Sequence, residues 1–290
     1  MKTLRITGVP EHFNYPWKKV IARQPFLSEG IRLEWIDESR GSGQMNQAMR
    51  ARETEIALVL TESFLKDFEA GNPSKMIGFH VNSPLIWGIH ISGASPVNSL
   101  KDLTTYDFLI SRMGSGSHLM AFVLAQREQW NPESLAFKII NNLSGALEVM
   151  NPDHPELFLW EKFTTKPWVD SGEMKRIGEL PSPWPCFVIA VTNDALNQFG
   201  EVIFQLRDLV YAESLALKSS KSTLSEISSE YKLNPEDLEI WFAQTDWALS
   251  PSISKKSLEE SMDQMAQLGI LKSSQTYEDF LIVEKIDLLD

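Results

Sequence analysis

The sequence has little cysteine, no long hydrophobic run and few positive charges. Its single cysteine, Cys186, excludes an internal disulfide framework. Apolar runs such as IALVL and CFVIAV are far shorter than the ~20 residues that cross a bilayer, so we expect no membrane span. The 290 residues include 27 Lys and Arg and 39 Asp and Glu, which gives a net charge of -12. This charge repels a phosphate backbone, so we expect no nucleic-acid partner.

Several local signals are also missing. The opening MKTLRITGVPEHF has no charged segment followed by an apolar one, and so predicts no secretory signal. We therefore expect a cytoplasmic protein if Met1 is the native start, and a periplasmic or extracellular one if a signal has been removed.

Common catalytic and metal motifs are absent too. The five histidines form no HExxH or closely spaced set, so we expect no metal and no cofactor. No GxSxG elbow occurs, and no Gly-Lys-Ser/Thr follows a glycine-rich turn. His80 and His90 lie within strand-like runs and are expected to be structural.

What the chain does have is a repeated alternation of apolar β-branched runs with amphipathic stretches, which predicts α/β units. Strands are predicted at 4–10, 32–39, 56–60 and 75–81, and a second series begins at Leu85 and ends in PSPWP. After the strand CFVIAVT, the pattern predicts helices over 194–218, 223–232, 236–248 and 255–268. We therefore expect a discontinuous first domain, 1–84 with 186–290, and a second domain, 85–185, with hinges at Asn82–Leu85 and Pro185–Cys186.

Five segments occur in a characteristic order: LRITGVPEHFNYPW, RLEWIDESRGSGQMNQAMRARETEIALVLTES, SLKDLTTYDFLISRMGSGSHLMAFVL, FLWEKF and PWPCFVIAVTNDAL. They resemble the periplasmic binding protein type II superfamily, in particular the substrate-binding proteins of nitrate, sulfonate and taurine ABC importers. The thiamine pyrimidine-precursor synthases are similar as well. The resemblance implies two mixed-sheet α/β lobes with a helical C-terminal tail on the first lobe. It also implies a small polar or anionic ligand bound in an interdomain cleft that closes by hinge motion, and an ABC permease as partner only if the protein is exported.

The turn RMGSGSH follows a predicted strand and opens a helix. In open α/β sheets, ligands bind outside the carboxyl ends of strands, and a helix N-terminus presents free N–H groups. Ser115, Gly116, Ser117 and His118 are therefore candidates to hold an anionic or polar group. The alternative is an ordinary cap, in which Ser117 satisfies its own helix.

The turn ESRGSGQ is the counterpart of RMGSGSH in the first domain. Gly41, Ser42 and Gly43 open the next predicted helix and are candidate ligand contacts, with an ordinary strand-to-helix turn as the alternative. Arg40 and Arg112 precede the two turns. An arginine fork suits a carboxylate or phosphonate, although a solvated surface role is equally open.

Two further strand ends carry candidate side chains. His12 and Phe13 follow the first strand and are expected at the mouth of the cleft, where an aromatic wall beside a polar donor is common. The alternative for His12 is a loop residue bonded to a backbone carbonyl. Thr61 and Glu62, with Ser63, follow the third strand and are candidates to contact a ligand amine or hydroxyl.

The segment FLWEKF resembles a Trp-Glu-Pro stretch of the superfamily, with Lys162 in place of the proline. Trp160 is a candidate to stack on a planar ligand group, and Glu161 to accept a hydrogen bond from it. The alternative for Trp160 is packing in the core.

Two other functions stay open. One is a cytosolic enzyme on the same fold, as the resemblance to the thiamine-precursor synthases and to menaquinone-pathway enzymes implies. Its acid–base candidates are His12, His118, Glu62 and Glu161, but the single cysteine departs from the cysteine-rich segment expected of the synthases.

The other is a cytosolic ligand sensor that docks a partner through its C-terminal helices. Trp241, Phe242 and Trp247 fall at helical spacings that form an apolar stripe, which ordinarily packs in a core. The sensor hypothesis predicts an exposed apolar patch near Trp241 and Trp247. The sequence does not identify the ligand or the oligomeric state.

Overall fold

The computed structural model describes residues 1–272 and 275–290. The chain forms two compact units: Met1–Ser83 together with Trp184–Asp290, and Pro84–Pro183. It therefore leaves the first unit once, builds the second from one continuous segment, and returns. Within the described ranges, no helix combines the length and apolar character needed to span a membrane.

The elements are numbered along the chain. The strands are β1 (Lys2–Gly8), β2 (Ile31–Asp37), β3 (Ile56–Leu60), β4 (Ser74–Val81), β5 (Ile86–Ser92), β6 (Tyr106–Ile110), β7 (Leu135–Ile139), β8 (Leu157–Glu161), β9 (Met174–Pro181), β10 (Phe187–Thr192), β11 (Ser252–Ser254) and β12 (Asp287–Leu289). The helices are α1 (Tyr15–Ala22), α2 (Ser42–Arg50), α3 (Thr61–Glu69), α4 (Gly116–Glu128), α5 (Leu143–Val149), α6 (Lys166–Asp170), α7 (Asn193–Phe199), α8 (Glu201–Ser219), α9 (Thr223–Tyr231), α10 (Pro235–Gln244), α11 (Lys255–Gln267) and α12 (Tyr277–Phe280).

The main sheet of the first unit has the order β2-β1-β3-β10-β4. Strand β1 is parallel to β2 and β3, whereas β10 is antiparallel to both β3 and β4. All five residues of β3, IALVL, are buried. A strand covered on both faces has no polar side, which explains why this stretch is a continuous apolar run rather than an alternating one.

The sheet of the second unit has the order β7-β6-β8-β5-β9 and follows the same plan. Three neighbouring strands, β7, β6 and β8, are parallel, and β5 lies antiparallel between β8 and β9. In each sheet, the strand that directly follows a crossover between the units, β5 or β10, occupies the fourth place. The predicted class, two mixed α/β sheets, is confirmed.

The C-terminal helices pack on the first unit. In α8, Arg207 donates hydrogen bonds to the carbonyl oxygens of Ile77 and Lys285, and the Tyr211 hydroxyl donates to that of Phe79. A β-carbon on Gly78 would collide with the Tyr211 hydroxyl, and the residue has φ +150. Only glycine allows this close approach of helix and strand.

Two features of the tail differ from the sequence-based prediction. The helix predicted over 194–218 is interrupted at Gly200, whose φ of +53 separates α7 from α8. Strands β11 and β12 form a short parallel pair in a region predicted to be mainly helical. Three-residue strands are too short to give a pattern that sequence analysis can detect.

The aromatic stripe is also arranged differently. The helix predicted over 236–248 ends at Gln244, because Thr245 is extended, and Trp247 forms an isolated bridge with Val81. Trp241 and Trp247 are 1% and 0% exposed. Both tryptophans therefore belong to the core, whereas their neighbours Ile240 and Leu249 are exposed, so the apolar patch that the sensor hypothesis places near Trp241 and Trp247 stays a prediction.

Candidate functional site

Three of the predicted turns lie at one edge of the first unit's sheet. Strands β1, β2 and β3 are parallel neighbours, so their carboxyl ends meet at the same edge. The structure thus brings together His12–Phe13 after β1, Gly41–Gly43 after β2 and Thr61–Glu62 after β3. We call this set the first-unit edge. It is where an open α/β sheet ordinarily binds ligands.

At the first-unit edge, the turn between β2 and α2 is held by a glycine and a serine. Gly41 is the N-cap of α2 with φ +80, a backbone conformation that favours glycine. The buried Ser42 hydroxyl accepts a hydrogen bond of 2.9 Å from the backbone N–H of Leu60, and so ties α2 to the end of β3. Gly43 is half-buried in the first turn of α2. Arg40 forms a bidentate pair with Glu38 rather than standing alone.

Thr61 and Glu62 hold the segment by which the chain returns to the first unit. The Thr61 hydroxyl donates to the carbonyl oxygen of Pro185 at 2.5 Å, and its N–H donates to that of Cys186 at 3.1 Å. The Trp184 indole N–H donates to Glu62 Oε2 at 2.7 Å. Ser63, by contrast, faces α2, because both its hydroxyl and its carbonyl oxygen accept from Asn46.

The Glu62 carboxyl is chemically the most unusual group of the first-unit edge. The residue is 1% exposed, and its Oε1 has no hydrogen-bond partner among the described residues. Burial raises the pKa of Glu62 to about 7. Near neutral pH this group can therefore hold a proton or accept a hydrogen bond from a ligand.

His12 and Phe13 are more deeply buried than the sequence suggests. They lie in a short 3-10 helix, and the imidazole of His12 is 2% exposed, packed against Trp241 of α10 with ring centroids 4.1 Å apart. Burial lowers the pKa of His12 to about 3, so its ring is neutral. The Phe13 carbonyl oxygen accepts hydrogen bonds from the Trp247 indole at 2.8 Å and from the His80 ring at 3.0 Å. His80 thus has a structural role.

In the second unit, the turn between β6 and α4 is built on internal hydrogen bonds. Gly114 has φ +76, and its N–H donates to His118 Nδ1 at 3.0 Å. The His118 ring packs edge-on against Phe122 and Phe137. Arg112 contributes its carbonyl oxygen, which accepts from the N–H of Ser115. The N–H groups of the first helical turn, beginning at Gly116, are those that a helix leaves without intrahelical acceptors.

The two serines of this turn have different local partners. Ser115, not Ser117, is the N-cap of α4, since its hydroxyl accepts from the N–H of His118. The Ser117 hydroxyl accepts from the N–H of Ser111 at 3.1 Å and lies 3.0 Å from the Ser115 hydroxyl. Ser117 therefore ties α4 to the residue after β6, and the alternative in which Ser117 caps its own helix is wrong, because Ser115 is the cap.

At the end of β8, Glu161 stabilises the loop that follows. Its carboxylate Oε2 accepts from the N–H groups of Phe163 and Thr164 and from the Thr164 hydroxyl, at 3.0, 2.6 and 2.8 Å. Burial raises the pKa of Glu161, and the hydrogen bonds from Thr164 and Phe163 oppose that rise. Trp160 is half-buried and stacks on Phe158 with centroids 5.3 Å apart. Lys162 lies 3.2 Å from a carboxylate oxygen of Glu179.

His90 is enclosed beneath this loop. Its Nδ1 donates to the Phe158 carbonyl oxygen at 3.2 Å, and its Nε2 accepts from the Thr165 hydroxyl at 2.9 Å. Burial lowers the pKa of His90 to about 4. Like His80, this histidine is structural.

A cavity of about 430 Å³ lies elsewhere in the first unit. It is bounded by α11, α12 and the last residue of α3, the opposite end of α3 from Glu62. Its charged lining consists of one cation and four carboxylates: Lys255, Glu69, Glu259, Asp263 and Glu278. Such a lining does not suit an anionic ligand. Within residues 1–272 and 275–290, no three His, Cys, Asp or Glu side chains are grouped to hold a metal ion.

Comparisons with known proteins show which proteins share the sequence pattern and the fold of this chain. A family model described as "Ca3427-like PBP" matches residues 87–180, within the second unit. The CA3427 gene product of Candida albicans, described as having the generic periplasmic binding protein fold, is 25% identical, with 100% of this chain and 96% of that chain covered and a TM-score of 0.84. No curated protein matched by sequence.

Two more distant structures share the fold. The alkanesulfonate-binding protein SsuA of Xanthomonas axonopodis pv. citri, bound to MOPS, is 12% identical, with 100% of this chain and 99% of that chain covered and a TM-score of 0.77. The nitrate-binding protein NrtA of Synechocystis PCC 6803 is also 12% identical, with coverages of 99% and 86% and a TM-score of 0.72. The chain therefore has the periplasmic binding protein fold. Within that fold it is similar to the Ca3427-like proteins and to solute-binding proteins of ABC importers.

Three residues of this region were not among the predicted site residues. Trp184, Tyr231 and Trp241 contact predicted site residues from distant parts of the chain. In the sequence, Trp184 of the proline cluster PSPWP lies next to a predicted hinge, and Trp241 belongs to the predicted apolar stripe, but neither signal points to a contact with a site residue.

Proposed function

We propose that this chain binds a small polar or anionic organic ligand between its two units and closes on it by hinge motion. Proteins of the same fold carry names that state a sulfonate, a nitrate or a phosphonate ligand. These three ligands share oxygen atoms that accept hydrogen bonds. The proposal extends that ligand chemistry to this chain.

The observation that carries the proposal is a pair of matching turns. Each unit has a glycine with left-handed φ, Gly41 or Gly114, between a parallel strand and a helix. Each turn is stabilised by a serine hydroxyl that accepts from a backbone N–H, Ser42 from Leu60 and Ser117 from Ser111. Such turns direct the first N–H groups of a helix toward the carboxyl end of the sheet, where anions bind.

A ligand screen tests the proposal. Thermal shift and isothermal titration are measured with MOPS, methylphosphonate, nitrate, acetate and cytosine. A ligand that binds only the folded chain raises the melting temperature by mass action. We expect at least one probe to do so, and Ser117→Ala to weaken its binding by about tenfold, by loosening the α4 turn. Ser219→Ala, at an exposed serine, is the control. A wild-type chain that binds none of the five probes would contradict the proposal.

Hinge closure has its own test. Small-angle scattering of the wild-type protein with and without the tightest probe measures the radius of gyration. We expect a decrease on binding, because closure and binding form one equilibrium. A radius that does not change at saturation would limit the proposal to binding without closure. For an exported form, the proposal includes delivery of the ligand to an ABC permease.

An enzyme on the same fold is the second candidate, and one observation favours it. Glu62 combines burial, an unpartnered carboxylate oxygen and a pKa of about 7, which suits a general acid or base. Of the other acid–base candidates, Glu161 is occupied by local donors. Mass spectrometry of the probes after long incubation separates the two functions. An unchanged ligand supports binding, whereas conversion that Glu62→Gln abolishes supports catalysis.

A further inference from the structure

Three buried polar atoms without partners are gathered in one aromatic cluster of the first unit. They are His12 Nε2, Tyr231 Oη and Trp241 Nε1, none of which has a hydrogen-bond partner among the described residues. The His12 ring centroid lies 4.1 Å from that of Trp241 and 6.0 Å from that of Tyr231. We call these three residues the His12 cluster.

Several neighbouring polar groups are paired, although the Trp17 indole N–H beside His80 has no partner among the described residues, so the packing of this region does not in general prevent hydrogen bonding. The Trp247 indole and the His80 ring both donate to the Phe13 carbonyl oxygen. The Tyr15 hydroxyl donates to Glu226 at 2.8 Å. Buried polar groups are paired in the great majority of cases, and leaving one unpaired is costly. Three unpaired groups in one cluster therefore indicate a polar occupant.

The side chains define the chemistry of that occupant. An indole N–H can only donate a hydrogen bond, and a tyrosine hydroxyl and a neutral imidazole can each supply one donor. The His12 ring is neutral, since burial lowers its pKa to about 3. The Lys18 ammonium lies 5.2 Å from the Tyr231 ring centroid and 3.6 Å from Asp37. Asp37 offsets the Lys18 charge, and Glu230 and Glu11 also act on Tyr231, whose pKa is raised by burial and by these carboxylates. The neutral donors, and not a net positive charge, are therefore what suits the oxygen atoms of the occupant.

The cluster is connected to the first-unit edge by packed side chains. The Phe13 ring lies 5.2 Å from Trp241 and 5.4 Å from Phe187. Phe187 pairs with Leu60, the last residue of β3, two positions before Glu62. The cluster therefore lies on the side of the sheet where β1 and β3 end.

We propose that the His12 cluster is a subsite for the oxyanion group of the ligand, and that helices α9 and α10 therefore form part of the binding surface. The inference rests on the proposed function, because it places one group of the same ligand. Tyr231 is the half-buried member of the cluster, so the group enters past its ring. The C-terminal helices then act in recognition as well as in packing.

Replacement of a single hydroxyl tests this subsite. Affinities for MOPS, methylphosphonate, nitrate, acetate and cytosine are measured by isothermal titration for the wild type, Tyr231→Phe and Tyr15→Phe. We expect Tyr231→Phe to weaken binding of the tightest oxyanion by about tenfold or more and to leave the melting temperature of the free protein unchanged or higher. The matched control Tyr15→Phe loses a paired hydroxyl, so we expect a lower melting temperature and unchanged affinity.

A second variant tests the same subsite at another of its donors. Trp241→Phe keeps an aromatic ring and removes the indole N–H, and we expect the same loss of oxyanion affinity. Wild-type binding that neither Tyr231→Phe nor Trp241→Phe weakens would show that only water fills the cluster, and would overturn the inference while leaving the proposed function intact. Binding of cytosine alone would do the same. Failure of the wild type to bind any probe would overturn both.

Discussion

Two buried carboxyl groups occupy similar places in the two sheets and have opposite surroundings. Glu62 follows β3 and Glu161 ends β8, and each of these strands is third in the order of its sheet. Both residues are at most 4% exposed. Glu161 accepts three local hydrogen bonds, whereas Glu62 accepts one from Trp184 and has an oxygen without a partner among the described residues.

The difference separates a structural group from a chemically available one. A buried carboxylate is costly unless donors surround it, and Glu161 has donors within its own loop. Glu62 lacks enough of them, and its pKa rises to about 7. Topology alone therefore does not identify a functional carboxyl; the number of local donors does.

The largest expected effect is at Glu161. Glu161→Ala leaves the N–H groups of Phe163 and Thr164 without their acceptor and opens a cavity in the loop. We expect the free energy of unfolding to fall by about 3 kcal/mol, measured by urea denaturation. The exposed Glu173→Ala is the matched control, with an expected change within about 0.5 kcal/mol. Equal effects in the two variants would remove the structural role assigned to Glu161.

At Glu62 we expect a pH dependence. Below about pH 4.5, the ordinary pKa of a glutamate, the carboxyl is protonated in both the folded and the unfolded chain. Above it, only the folded chain keeps the proton, so stability falls as the pH rises and the fall is complete once the pH exceeds about 7. The loss is about 3 kcal/mol, and Glu62→Gln abolishes it.

The measurement is urea denaturation of the wild type and Glu62→Gln between pH 4 and 8. At the acid end, the free energies of unfolding of the two proteins should differ only by a constant. The difference should then grow as the pH rises. Glu53→Gln, at an exposed glutamate, should run parallel to the wild type. Parallel curves for Glu62→Gln would contradict the raised pKa.

The two turn serines should behave alike, in contrast to the two carboxyls. Ser42→Ala and Ser117→Ala each leave a buried backbone N–H, of Leu60 or Ser111, without its acceptor. We expect each substitution to cost about 1 to 2 kcal/mol in urea denaturation. A large cost at only one of the two would show that the turns are not equivalent.

The smallest effect is expected at the turn glycines. Gly41 and Gly114 have φ of +80 and +76, which a residue with a β-carbon adopts at a cost. Alanine at either position should lower the free energy of unfolding by about 1 kcal/mol, and the melting temperature should fall with it. A β-carbon on Gly41 would meet no other atom within 4 Å. The destabilisation of Gly41→Ala therefore measures the cost of the backbone conformation alone. An unchanged melting temperature would mean that the turn relaxes.

Local patterns predicted most of the fold and only part of the candidate site. The runs IALVL and CFVIAV mark β3 and β10, because strands covered on both faces need apolar side chains throughout. The Glu62–Trp184 hydrogen bond joins residues 122 positions apart, and the contact of His12 with Trp241 spans still more of the chain. Periodicity carries no information on such pairs. Gly200 likewise breaks a helix whose amphipathic pattern continues across it.

The placement of β5 and β10 sets an order of events during synthesis. All the strands of the second unit's sheet lie within Pro84–Pro183, so this sheet can assemble as soon as that stretch is made. The first 83 residues cannot complete their own sheet, because β10, which separates β3 from β4, is made only afterwards. We expect hydrogen exchange on a chain that ends at residue 183, before β10, to show protection of β6 and β8 and no protection of β4. The segment inserted in the middle of the chain would then be the first to become native.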